Sequence, residues 1–240
     1  MENTKRYCFL GDSITKGVGS AKCFTEYIGE MTGAEIHNFG VNGARACHLA
    51  SQIARMEQTV GDAFDCLFIL IGTNDFNSST ITGEWFTESE ETLPTGYDEK
   101  GGIIGYQKRK KRSFVMDKTT FRGVLNVTLS YLREKYADKR IILMTPIHRG
   151  FAFFGKTNYQ PDELYANALG LYPETYVRII REAADIWACE CIDLYRDSGL
   201  FPMSTVNAEL YFHDVQNDRL HPNANGHERL AETIVRYLKN

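Results

Sequence analysis

Residues 66–71 read CLFILI, six apolar side chains in a row with no polar position among them. A strand that alternates polar and apolar residues has one wet face. An unbroken apolar strand is buried on both faces, as the central strands of parallel sheets are when helices cover each side. The rest of the chain supports that reading. Residues 7–10 (YCFL, stopped by Gly11), 35–39 (stopped by Gly40), 140–146 (RIILMTP) and 189–194 form four further strand candidates. Residues 44–58, 120–136, 176–188 and 227–238 lie between or after them with apolar positions at helix spacing. Alternation of this kind predicts β-α-β units with right-handed crossovers, hence an α/β fold built as a three-layer α/β/α sandwich.

The composition permits such a core, since 43% of the 240 residues are hydrophobic and 24% charged. A net charge of −4 argues against a nucleic-acid partner, which calls for a basic face. The six cysteines, at 8, 23, 47, 66, 189 and 191, form no Cys-x-x-Cys pair and are expected to be reduced, structural thiols. No apolar run approaches the roughly 20 residues of a membrane span. The N-terminus MENTKR has no charged region followed by an apolar stretch, so the chain as given is expected in the cytoplasm. A single domain over 1–240 is expected, with long loop insertions at about 76–118 and 147–171. Both follow strand carboxyl ends, where open α/β sheets bind ligands.

Four short motifs occupy the same edge. Gly11-Asp12-Ser13-Ile14-Thr15 follows the first strand and is either a conformational turn or a serine presented near a helix N-terminus. Asn38-Phe39-Gly40-Val41-Asn42-Gly43 follows the second. Its glycines permit positive φ, or Gly43 offers an unobstructed backbone N–H to an oxyanion. Gly72-Thr73-Asn74-Asp75 closes the third strand, where Asn74 is a self-bonded turn residue or a side-chain oxyanion donor and Asp75 is expected to hold its own turn. Asp218-Arg219-Leu220-His221-Pro222 precedes the last helix. Asp218 is placed to fold back on His221 Nδ1, freeing Nε2 as a base, with Pro222 opening the helix; the alternative is a helix cap with an incidental histidine.

Taken together, the four blocks resemble the SGNH/GDSL hydrolase superfamily over nearly the whole chain, with Ile14 where many members have Leu. The resemblance implies a flavodoxin-like, five-stranded parallel sheet and a serine esterase. It implies Ser13 as nucleophile and oxyanion donor, Gly43 and Asn74 as the other oxyanion donors, His221 as base and then acid, and Asp218 as its orienter. No cofactor and no metal are implied; His37, His48, His148, His213 and His227 have no ligand spacing. His148 follows a strand end and either packs its loop or reaches the pocket.

The expected substrate is a small-molecule or carbohydrate ester carrying a short, acetyl-like acyl group. The loops above the site hold Trp85, Phe86, Tyr97, Tyr106, Phe151, Phe153, Phe154, Tyr159, Tyr165 and Tyr172, which either stack on sugar rings or pack the loops onto the core or a homo-oligomer contact. The basic run 108–112 (KRKKR) is expected to be a solvated face, offset by the acidic stretch before it. A lysophospholipase or thioesterase and a non-catalytic carbohydrate-binding protein are the competing functions. Gly11–Gly17 lacks the order of a phosphate-binding loop, because Lys16 precedes the second glycine.

Overall fold

The computed structural model describes residues 4–239. Strand β1 (Arg6–Gly11) runs into the short helix α1 (Ser13–Lys16) and then α2 (Phe24–Thr32). β2 (Glu35–Asn38) leads through a 3-10 turn (Ala46–His48) to α3 (Leu49–Val60), and β3 (Cys66–Leu70) to α4 (Thr73–Asn77). A hairpin of β4 (Phe86–Tyr97) and β5 (Ile103–Phe114) precedes α5 (Phe121–Lys135). β6 (Arg140–Met144) is followed by the short strands β7 (Ala152–Phe153) and β8 (Tyr159–Gln160), then α6 (Pro173–Ile186). β9 (Glu190–Ile192), α7 (Leu194–Asp197), α8 (Thr205–Tyr211), β10 (Phe212–Asp214), β11 (Asp218–Pro222) and α9 (Ala224–Lys239) complete the order.

The central sheet is parallel throughout, in the order β2-β1-β3-β6-β9. In-register neighbours such as Cys8, Leu67 and Ile141 line up across it. Because strand side chains alternate, one core holds Cys8, Leu10, Leu67, Ile69, Ile141 and Leu143 against α3, α5 and α6. The other holds Phe9, Phe68, Leu70, Ile142 and Met144 against α2 and α9. Phe9 and Phe68, both fully buried, stack across β1 and β3 with ring centroids 4.5 Å apart. The sandwich and the five strands therefore agree with the sequence reading, for the reason given there.

Three features depart from it. Helix α2 buries Phe24 and Ile28 between the first two strands, in a stretch where apolar spacing marked out no helical span. The first insertion contains the β4–β5 hairpin, and the second contributes β7 and β8 to a small sheet of order β10-β11-β7-β8. Pro222 does not open the last helix: it ends β11, and Asn223 caps α9, its side chain accepting from the Gly226 N–H at 3.1 Å. No helix among the described residues is long and apolar enough to cross a membrane.

Candidate active site

The first turn is built around the end of β1. Gln52, buried on α3, accepts from the Gly11 N–H at 2.8 Å and donates to the Gly11 carbonyl at 2.9 Å, clamping the strand end from below. Asp12 caps α1 by accepting from the Ile14 N–H at 3.0 Å, and this leaves Ser13 at the first helical position, half-buried. The Val41 N–H donates to the Gly11 carbonyl at 3.0 Å, tying the second turn to the first. Asn74 Nδ2 donates to the Ala44 carbonyl at 3.1 Å, tying the third turn to the second. Ser13, Gly43 and Asn74 are thus brought to one edge. The backbone N–H groups of Ser13 and Gly43 donate to no acceptor among the described residues, and one Asn74 amide hydrogen remains free. Gly43 has φ +69°, and a Cβ there would meet nothing within 4 Å, so backbone conformation rather than space requires glycine.

Asp75 does not hold its own turn as expected. Its carboxylate accepts twice from the Ala46 N–H, at 3.0 and 3.2 Å, and so fixes the turn that carries Gly43.

His221 and Asp218 lie on β11, not on a free turn. Asp218 Oδ1 accepts from the Leu220 and His221 N–H groups, each at 3.1 Å, and Oδ2 is 2.8 Å from His221 Nδ1. His221 Nε2 is 2.9 Å from Ser13 Oγ. Both Asp218 and His221 are buried, while Gly43 opposite is exposed. Gly19, at φ +88°, lets the α1–α2 loop close against the histidine, since a Cβ would stand 2.9 Å from His221 Cβ.

The second insertion braces this strand. Ala152 pairs with Asp218, the Gly150 N–H donates to the Arg219 carbonyl at 2.9 Å, and the Arg219 N–H returns to Phe151 at 2.9 Å. The Phe154 ring lies 5.6 Å from that of His221 and is exposed, as are Phe153, Tyr159, Tyr165 and Tyr172. Buried Arg149 donates to Gln160 Oε1 at 3.2 Å, which also accepts from Asn77 of α4 at 2.7 Å. His148 packs its own loop, with Nδ1 2.6 Å from Glu163 and its ring stacked 3.6 Å from Tyr195. Three other histidines have partners away from the serine: His37 with Glu35 and His48 with the Arg45 N–H nearby in sequence, and His227 with the distant Phe24 N–H.

Electrostatics differ sharply between the carboxyls. Burial works against ionisation of Asp218, but the His221 ring and the backbone N–H groups outweigh it and hold the carboxyl below its ordinary value. For Asp12 and Asp75 burial outweighs the backbone N–H bonds they accept. It pushes Asp12 up to about 6 and Asp75 up to about 7, and Asp12 Oδ2 has no partner among the described residues. Burial also pushes the Cys8 thiol up to about 12, as befits a core thiol.

Chemically, the arrangement offers a hydroxyl beside an imidazole whose far nitrogen faces a buried carboxylate, and three N–H donors at the rim. Sequence reasoning missed Gln52 and Arg149. Gln52 was detectable as the polar residue in the apolar stripe 49/52/53/56 of α3; Arg149 left no local signal.

Comparison with known proteins bears on the family and the fold. A GDSL-like lipase/acylhydrolase family model matches residues 9–229. No curated protein matches in sequence. Among solved structures, a Lactobacillus plantarum protein aligns with TM-score 0.73 and 22% identity, covering 100% of this chain and 98% of its own. The acetyl xylan esterase AlAXEase aligns with TM-score 0.58 and 21% identity over 97% of this chain and 99% of its own. An acetyl xylan esterase from Geobacillus stearothermophilus gives 0.56 and 19%, over 98% and 96%. At these identities the structural likeness speaks for the fold.

Proposed function

The chain belongs to the GDSL-like lipase/acylhydrolase family of carboxylic ester hydrolases, and from that premise we propose that it is a serine esterase removing short acyl groups, acetyl above all, from carbohydrate esters. The observation that carries the reading is the continuous relay of 2.9 Å from Ser13 Oγ to His221 Nε2 and 2.8 Å from His221 Nδ1 to Asp218.

In this mechanism Ser13 Oγ attacks the ester carbonyl carbon while its proton passes to His221 Nε2. Asp218 holds the imidazole in the tautomer that accepts there and stabilises the cation that forms. Negative charge on the former carbonyl oxygen is met by the N–H groups of Ser13 and Gly43 and the Asn74 amide, each worth about 3 kcal/mol in the transition state. His221 then protonates the leaving alcohol as the carbon–oxygen bond breaks, giving an acyl-Ser13 enzyme. Water, deprotonated by His221, attacks that ester; the acid leaves and Ser13 recovers its proton.

Two features favour a short acyl group on a sugar. The rim is open, with Gly43 exposed and Ser13 only half-buried, so there is little wall for a long alkyl chain. Phe154 beside His221, with the other exposed aromatics of the second insertion, offers ring faces of the kind that stack on sugars. Two proteins of the same fold are acetyl xylan esterases.

The test is hydrolysis of p-nitrophenyl acetate, butyrate and octanoate by wild type and Ser13→Ala, followed by acetate release from acetylated xylan. Rates that fall with chain length, vanish in Ser13→Ala and extend to the polymer are expected. A preference for octanoate would replace the acetylesterase by a lipase-like enzyme. Equal rates in mutant and wild type would remove Ser13 from the chemistry.

A further inference from the structure

The β4–β5 hairpin stands apart from the sandwich. Its strands have twelve residues each and, among the described residues, pair only with one another, making an arm about 40 Å long at roughly 3.4 Å per residue. Its side-chain anchors to the sandwich lie at its base. The Phe114 ring stacks on Trp187 at 4.4 Å and lies 5.0 Å from Phe86, and Asn126 donates to the Trp85 and Val115 carbonyls, each at 3.0 Å. Beyond the base, residues 87–93 and 108–113 are exposed on both faces. A two-stranded ribbon bare on both sides is marginal in water. The tip makes this worse: Leu93, Tyr97, Ile103, Ile104 and Tyr106 are 39, 64, 44, 67 and 66% exposed. Large apolar side chains gathered at the end of a projecting arm mark an interaction surface.

The charges say what kind. β4 carries Glu88, Glu90 and Glu91 and no cation; β5 carries Lys108, Arg109, Lys110, Lys111 and Arg112 and no anion. Within one arm they already form cross-strand pairs, Glu88 with Lys110 and Arg112 at 3.1 and 3.4 Å, and Glu91 with Lys111 at 3.0 Å. We propose that this arm docks on the arm of a second copy of this chain, face to face about a two-fold axis running along its length. That axis lays the acidic strand of each copy over the basic strand of the other and brings both apolar tips to the same end. A two-fold axis perpendicular to the arm, whether across its face or at its edge, sets like charge on like. The self-complementary pattern therefore selects one closed dimer, in which the same patch serves on both sides.

Sedimentation velocity of the full chain decides the matter. Wild type is expected to run as a dimer of the 27.3 kDa chain at micromolar concentration, with affinity about tenfold weaker when NaCl rises from about 0.05 to about 0.5 M. The exposed pair Ile104→Asp/Tyr106→Ser should weaken it at least about tenfold, with unchanged circular dichroism and melting of the sandwich. Lys108→Glu/Lys110→Glu/Lys111→Glu should do the same. Adding Glu88→Lys/Glu90→Lys/Glu91→Lys to that triple should restore the dimer, because the two strands are again opposite in sign. A monomeric wild type, or a dimer indifferent to every arm variant, overturns the proposal.

Discussion

Asp12 and Asp75 sit beneath the turns that carry Ser13 and Gly43, and each accepts a backbone N–H that fixes its turn. Burial raises both carboxyls, Asp12 to about 6 and Asp75 to about 7, from an ordinary 3.8. The native state therefore keeps protons that the unfolded chain has released between about pH 4 and pH 7. Since the native state binds more protons there, stability falls as pH rises through that window and levels off above it. Asp75→Asn retains an acceptor without the charge. Urea unfolding at pH 5 and pH 8 is expected to show a smaller loss in the variant than in wild type, by ~2–4 kcal/mol. Identical slopes would show that Asp75 ionises freely in the fold. At this scale the sequence was informative about which residues are candidates and poor about their partners. Ser13, Gly43, Asn74, Asp218 and His221 stood in recognisable blocks, whereas Asp75's bond to Ala46 joins separate turns and leaves no local trace.

Among the elements, β11 does the positioning, because it carries both Asp218 and His221 and is held by the backbone of the second insertion. Gly150 makes that contact close: a Cβ there would stand 2.5 Å from Arg219 Cβ. Gly150→Val is expected to push β11 away and lower kcat for p-nitrophenyl acetate about 10–100-fold, as a displacement near 1 Å does. KM should change little. Unaltered kcat would mean that the insertion covers the strand without setting its place. The central strands were legible because both faces are buried, which forces continuous apolar runs. β4, β5 and β11 were not, since a ribbon charged on both faces and a five-residue strand lack apolar periodicity. Pro222 misled for a related reason: proline suits a strand end as well as a helix start.

Across the whole molecule, the N-terminal and C-terminal regions meet at His227 of α9. Its Nδ1 accepts from the Phe24 N–H of α2 at 3.2 Å, and its ring lies parallel to Phe24 with centroids 6.0 Å apart. Burial lowers this imidazole to about 4, so it stays neutral in the fold while the unfolded chain gains a proton below about pH 6.5. The unfolded state binds more protons in that window, and stability is lost as pH falls through it, opposite in sign to Asp12 and Asp75. His227→Gln, which keeps an acceptor, should reduce the His227-dependent loss between pH 7 and pH 5 by about 2 kcal/mol in urea unfolding. An unchanged loss would assign the acid sensitivity to other groups. The docking proposed for the arm belongs to this scale too, since it depends on the whole length of a hairpin and on nothing within the sandwich.

The sequence by itself determined the layered α/β fold, the five strands of its central sheet, and the candidate residues in the turns that follow them. Apolar periodicity and turn chemistry are local, and they survive translation into one dimension. Only the tertiary structure decided that the 76–118 insertion is an arm with opposite charge on its two strands. It alone assigned the 147–171 insertion to bracing β11, and Gln52 to clamping the end of β1. The last two join residues 41 or more positions apart, such as Gln52 to Gly11, and each is chosen by the packing of strands and helices already in place.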